Sequence, residues 1–157
     1  MGRFDLHDRP PVRYLAELAE HAVGERLSPF RGTTFHPSYL RQGGQRLAQV
    51  EVRLAASLAR RIADCTDPPV LARLGIRPDA LAHHDRTRTQ AIARRLHARR
   101  GTAGFRWWSA LTGAWHTVVL FTDRERRGEV RFGTPRVLEP AHPDVGRALS
   151  VLGIRVR

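Results

Sequence analysis

The sequence contains no lysine: all 27 of its basic residues are arginine. It has a single cysteine, Cys65, so no internal disulfide can form. No apolar run approaches the roughly 18 residues that a bilayer-spanning helix needs, and no membrane anchor is expected. Met1-Gly2-Arg3-Phe4-Asp5 has no apolar stretch behind its basic residue, so no secretory leader is expected either. A lone thiol without a leader points to the reducing cytoplasm. Internal repeats and low-complexity linkers are also missing, which leaves one domain over residues 1–157 as the simplest organisation. A folded chain of this size buries roughly 70% of the surface its unfolded form exposes, enough for a real core.

What is present is globular in balance, with 41% hydrophobic and 27% charged residues. The net charge of +12 invites a nucleic-acid reading, because a clustered basic surface draws phosphate backbones. Here the arginines are scattered, and no RNP, zinc-finger or basic-zipper pattern accompanies them. Arginine in place of lysine, beside many Ala, Gly, Leu and Pro, fits the coding bias of a GC-rich genome. Direct nucleic-acid binding is therefore not expected.

Periodicity sketches the elements. Residues 11–16 alternate as a strand, and a short helix follows over 17–27, ended by Pro29 and Gly32. Residues 30–46 read as loop and 49–54 as a second strand, with another short strand around Ile62. Asp67-Pro68-Pro69 reads as a cap with proline in the first turn of a helix running to Leu74. The clearest helix covers 87–100, with Ile92 and Leu96 four apart, and Gly101 and Gly104 close it. Residues 105–109 and 117–121 form two strands around a turn at Gly113, the interior of the sheet. A strand over 129–137, a helix after Pro143 and a terminal strand over 153–156 complete the chain. Strands and helices intersperse without strict alternation, which predicts an α+β fold: a mixed, largely antiparallel sheet with flanking helices.

Three residues stand out by position. Arg3, Tyr14 and Glu25 lie eleven apart twice over, before a strand, within it, and near the end of the helix it leads into. On that helix Glu25 falls in the row of Leu18 and Ala22, so its carboxylate is expected on the apolar stripe, where a charge needs a partner. Arg3 and a bound ribose hydroxyl are the two candidates. A helix-end glutamate paired with one of many arginines is the plainer alternative. Ser109 ends an aromatic strand on the face of Phe105 and Trp107, and no Gly-x-Ser-x-Gly elbow surrounds it, which argues against an acyl-transfer nucleophile. His83-His84 lacks a spaced third ligand, so no metal is expected.

Taken together, these segments resemble the RES-domain family, bacterial toxins named for an arginine, a glutamate and a serine. Gly2-Arg3-Phe4-Asp5, Tyr14-Leu15-Ala16 and Ala22-Val23-Gly24-Glu25 are similar to its glycine-arginine-aromatic opening, its Tyr-Leu-Ala strand and its Ala-x-x-Glu helix. Gly104-Phe105-Arg106-Trp107-Trp108-Ser109 and Val118-Val119-Leu120-Phe121 are similar to its Gly-aliphatic-x-aromatic-x-Ser segment and the strand that follows. The resemblance covers residues 2 to about 124 and implies a fold related to ADP-ribosyltransferases. It also implies NAD as substrate, and a cognate antitoxin with a helix-turn-helix domain as partner. Members degrade NAD, in some cases by phosphorolysis to nicotinamide and ADP-ribose 1″-phosphate, so inorganic phosphate is an expected co-substrate.

Carried over, Arg3, Tyr14, Glu25 and Ser109 form the implied site, and their chemistry suits it. The guanidinium of Arg3 offers bidentate donors to a pyrophosphate or an attacking phosphate. Breaking the nicotinamide-ribose bond builds positive charge on the ribose, which a carboxylate accepting from a ribose hydroxyl stabilises, the role implied for Glu25. Tyr14 supplies a ring and a hydroxyl, and Ser109 an orienting donor.

The opening departs from the family. Typical members carry a further strand, usually with another arginine, ahead of the glycine-arginine motif. Either the true start lies upstream, or the first strand is missing and NAD binding is weakened by about 1.5–3 kcal/mol. Three functions follow as expectations: an NAD-degrading glycosyl or ADP-ribosyl transferase of toxin type, an impaired relative that only binds the antitoxin, and an Arg-rich nucleic-acid binder. The acceptor of the ADP-ribose and any homo-oligomer stay open.

Overall fold

A computed structural model describes residues 2–83 and 85–156. They fall into two compact units interleaved in sequence, one made of Met1–Leu15 with Arg53–Arg131 and the other of Ala16–Val52 with Phe132–Arg157.

The first unit is built on a four-stranded sheet of β1 (Arg13–Ala16), β6 (Ile62–Asp64), β7 (Gly104–Trp108) and β8 (His116–Leu120), in the order β1-β8-β7-β6. β6 and β7 are parallel, β7 and β8 antiparallel. The aromatic and β-branched runs are the central strands, as their composition predicts. Phe105 faces Val119 across the ladder, and alternation along β8 sends Val119 to one face and Val118 and Leu120 to the other. The first face is covered by α3 (Pro68–Leu74), α4 (Pro78–Ala82) and α5 (Arg86–Ala98), whose Leu71, Leu81, Ile92 and Leu96 join Phe4, Phe105, Trp107, Val119 and Phe121 in one core. The second face closes over Leu58 of α2 (Ala56–Ala59), with Ala103, Val118 and Leu120. Each buried side chain of this size contributes roughly 1.5–3 kcal/mol.

Gly104 does not close the preceding helix. It opens β7, because the backbone of β8 comes too near for any side chain: a Cβ there would collide with the Val119 carbonyl oxygen and lie 3.0 Å from Leu120 Cδ2. The helix ends instead at Ala98, and Gly101 takes a left-handed φ of 83°.

The second unit pairs two helices, α1 (Ala19–Leu27) and α6 (Pro143–Leu152). Val23 and Leu27 are buried on the first and Val145, Ala148, Leu149 and Leu152 on the second, and Glu20 bridges to Arg147 at 3.7 Å. The stretch expected as loop over 30–46 contains a 3-10 turn, Pro37–Leu40, and a small hairpin of β2 (Arg41–Gln42) and β3 (Gln45–Arg46).

The strand expected over 49–54 is two, β4 (Ala48–Gln49) and β5 (Val52–Leu54), and that over 129–137 is also two, β9 (Val130–Phe132) and β10 (Arg136–Val137). They pair as β4 with β10 and β5 with β9. The second run breaks at Gly133-Thr134-Pro135, where proline has no N–H to give the ladder, and the first breaks opposite it at Val50-Glu51. The terminal strand is reduced to one bridge, Thr34 with Arg155, because Gly153 is used as the left-handed cap of α6. The fold is thus α+β, a largely antiparallel sheet with flanking helices, and among the described residues no helix is long and apolar enough to cross a membrane.

Candidate functional site

Arg3, Tyr14 and Ser109 belong to the first unit, and Glu25 to the second.

Arg3 and Tyr14 come together in the turn that enters the fold. The Asp5 carboxylate closes it, accepting from Val12 N at 3.1 Å and from Gly2 N. Tyr14 Oη accepts the amide hydrogen of the fully buried Phe4 at 2.8 Å. Gly2 lies flat against the tyrosine ring, where a Cβ would overlap the hydroxyl and come within 2.7 Å of Cε2 and Cζ, so only glycine fits. Burial pushes the Tyr14 phenol up to about 12, against the lowering effect of the Phe4 amide. It stays protonated at neutral pH, and having accepted from Phe4 it keeps its own hydrogen to donate.

Arg3 is immobilised by groups that lie far from it along the chain. Its guanidinium lies 4.8 Å over the Trp107 ring, a cation-π contact. Nη2 donates to the carbonyl oxygens of Leu81 at 2.9 Å and His83 at 2.7 Å, where the chain leaves α4. Thr89 Oγ1 of α5 donates to the Arg3 carbonyl at 2.8 Å. Trp107 is itself packed edge-on by Phe4, with ring centres 5.3 Å apart. Its buried indole Nε1–H has no acceptor among the described residues, a donor that an oxygen-bearing ligand could satisfy.

Ser109 is buried just past the end of β7, two residues beyond Trp107. Its amide donates to Trp115 O at 2.7 Å, and its Oγ accepts from Leu111 N at 3.1 Å. The hydroxyl therefore also shapes the turn between β7 and β8.

Glu25 corrects an expectation. The row Leu18, Ala22, Glu25 is not the buried stripe of α1 but its exposed face, with Leu18 45% exposed and the Glu25 side chain 50% exposed. The buried face holds His21, Val23, Gly24 and Leu27. Val23 and Leu27, four apart, form an equally good apolar row, and it is they that turn inward. The carboxylate still has the partner its chemistry asks for: His21 Nε2 lies 2.9 Å from Glu25 Oε1, one helical turn back.

His83 lies in the loop between α4 and α5, its Nδ1 accepting from Asp85 N at 3.0 Å; His84 is outside the described residues. The arginine-rich face of α5 is partly stitched down, Arg94 reaching Asp8 and Arg95 the carbonyl oxygens of Leu74 and Gly75.

No curated protein and no solved structure matches this chain significantly. A model of the RES domain family matches residues 1–141 of the 157. Because that match spans most of the chain and takes in Arg3, Tyr14, Glu25 and Ser109, the protein belongs to the RES domain family.

Proposed function

We propose that this protein is a toxin-type enzyme that cleaves the nicotinamide-ribose bond of NAD, by phosphorolysis or by ADP-ribosyl transfer. Membership of the RES family is consistent with a toxin-like, NAD-related role. The observation that carries the finer reading is the exposed row of α1: two apolar residues and a half-exposed carboxylate on one face, when the helix's other face already supplies the core. A surface that is apolar along its length and ends in a fixed carboxylate suits the face of a ribose whose hydroxyl donates to Glu25 as cationic character builds on the ring.

Arg3 supports phosphate recognition. Its guanidinium is held flat over Trp107 and anchored through Nη2 to the Leu81 and His83 carbonyls, a fixed planar cation of the kind that suits a pyrophosphate. Tyr14 adds a protonated hydroxyl, and Ser109 Oγ a donor just beyond the strand that carries Trp107. The use of Arg3 Nη2 by the Leu81 and His83 carbonyls also favours a second reading, a relative that binds its antitoxin without turning NAD over. Within the proposal the protein works in the cytoplasm, alone or as a homo-oligomer, without a metal, and is restrained by a helix-turn-helix antitoxin.

Incubating the purified protein with NAD, with and without inorganic phosphate, and identifying the products tests this. Nicotinamide should appear, accompanied by ADP-ribose 1″-phosphate if phosphate is the acceptor. Glu25→Gln, similar in size but uncharged, should lower turnover by at least ~100-fold while the fold persists. Absence of nicotinamide would favour the second reading, and a fully active Glu25→Gln would remove Glu25 from the mechanism.

A further inference from the structure

We propose that His21 is the positioning residue of Glu25, an inference that rests on the role given to Glu25 above. The imidazole is fully buried, 0% exposed, on the inward face of α1, where an aliphatic side chain would pack without any polar group to satisfy. From that position Nε2 reaches Glu25 Oε1 at 2.9 Å. An ionised carboxylate only accepts, which assigns the hydrogen to Nε2.

The asymmetry of burial gives the contact its direction. A ring packed on all sides cannot follow a mobile partner, whereas a half-exposed glutamate on a helix end has several rotamers open to it. The hydrogen bond therefore fixes the carboxylate, not the ring. The main chain is fixed as well, because Ser28 Oγ donates to the Glu25 carbonyl oxygen at 2.9 Å and caps the last turn of α1. Glu25 is thus held at its backbone and at one carboxylate oxygen. A carboxylate oriented before substrate arrives stabilises a developing charge without reorganising first, which raises kcat more than it lowers KM.

The experiment compares wild type, His21→Leu, His21→Gln and Glu25→Gln for nicotinamide release from NAD, with melting temperature measured on each. Gln places an N–H near the position of Nε2, and Leu removes it. His21→Leu should lower kcat by roughly 10- to 100-fold, the range for a hydrogen bond to a charged group, with KM changed less than about threefold. His21→Gln should recover most of the loss. Full kcat in His21→Leu, or equal losses in the Leu and Gln variants, overturns the proposal while leaving Glu25 in place. If wild type releases no nicotinamide, the functional reading fails and this one with it.

Should the His21 variants not fold, imidazole nitrogen NMR of wild type against Glu25→Gln decides the point. The proposal requires the Nε2–H form in wild type, with a shift that changes when Glu25 loses its charge. The Nδ1–H form, or no change, overturns it.

Discussion

Tyr14→Phe separates the architectural from the chemical duty of the tyrosine. The substitution keeps the ring against Gly2 and deletes the hydroxyl that accepts the Phe4 amide at 2.8 Å. A buried amide left without an acceptor costs about 1–3 kcal/mol. Phe4 is fully buried, but Tyr14 is 42% exposed, so water can partly replace the lost oxygen and the lower part of that range applies, about 1–1.5 kcal/mol. For a chain of this length that corresponds to about 2–6 °C in melting temperature. Urea titration should show a lower midpoint with an unchanged slope. The pH dependence adds a signed check. The folded phenol is raised to about 12 from 10.0, so it keeps its proton longer folded than unfolded. Its stabilisation is complete below the unfolded value and is lost as pH rises through the folded one, over about pH 10 to 12. Tyr14→Phe should flatten that alkaline limb. A variant within about 0.5 kcal/mol of wild type, the range of an ordinary surface change, with the same alkaline limb, would refute the account of the entry turn.

Gly104→Ala should cost about 1–3 kcal/mol by denaturant unfolding, because its Cβ meets the backbone of β8; wild-type stability would contradict the Gly104–Leu120 register. Cys65 is fully buried, and that burial, with the Asp64 charge beside it, pushes its thiol to about 12. A disulfide reagent at pH 8 should therefore label the native protein only as fast as it opens, and immediate labelling would contradict the packing around β6. The Asp64 carboxyl is opposed by burial, but donors from Thr66 and Arg106 outweigh it and hold it below the usual range. Its contribution is present above the unfolded value and lost as pH falls below about 4. Asp64→Asn should therefore lose less stability than wild type between pH 7 and pH 3, as read from urea midpoints.

The parts of this fold that were legible in advance are those where one local signal settles the outcome. The spacing of Ile92 and Leu96 identifies α5, and the aromatic and β-branched runs identify the two central strands. The side on which Glu25 falls is not legible locally, because the helix region has two apolar rows, Leu18 with Ala22 and Val23 with Leu27. Which one faces inward depends on α6, which comes from the far end of the chain. Gly104 reads as a helix end in the sequence because its defining contact, the Val119 carbonyl, lies on another strand. The family likeness points to Arg3, Tyr14, Glu25 and Ser109 by their motifs, but says nothing of the groups that hold them. Trp107 under Arg3, the carbonyls of Leu81 and His83, and Thr89 all depend on tertiary approach. His21 is the exception, because a histidine four residues before a glutamate on a helix is a local pattern that can be read directly.

The pairing of α1 with α6 also bears on when this protein becomes functional during synthesis. The two helices come from opposite ends of the chain, and the whole stretch from Arg53 to Arg131 is made between them. When α1 emerges from the ribosome, the helix that covers Val23 and Leu27 does not yet exist. Nine residues cannot sustain a stable helix in water without such support. The histidine-glutamate clasp needs consecutive helical turns, so it forms only once residues 143–152 have been translated and have docked. An unfinished chain would carry the glutamate without its fixed geometry, and a ribosome stalled before Pro143 would release a chain in which the clasp cannot form.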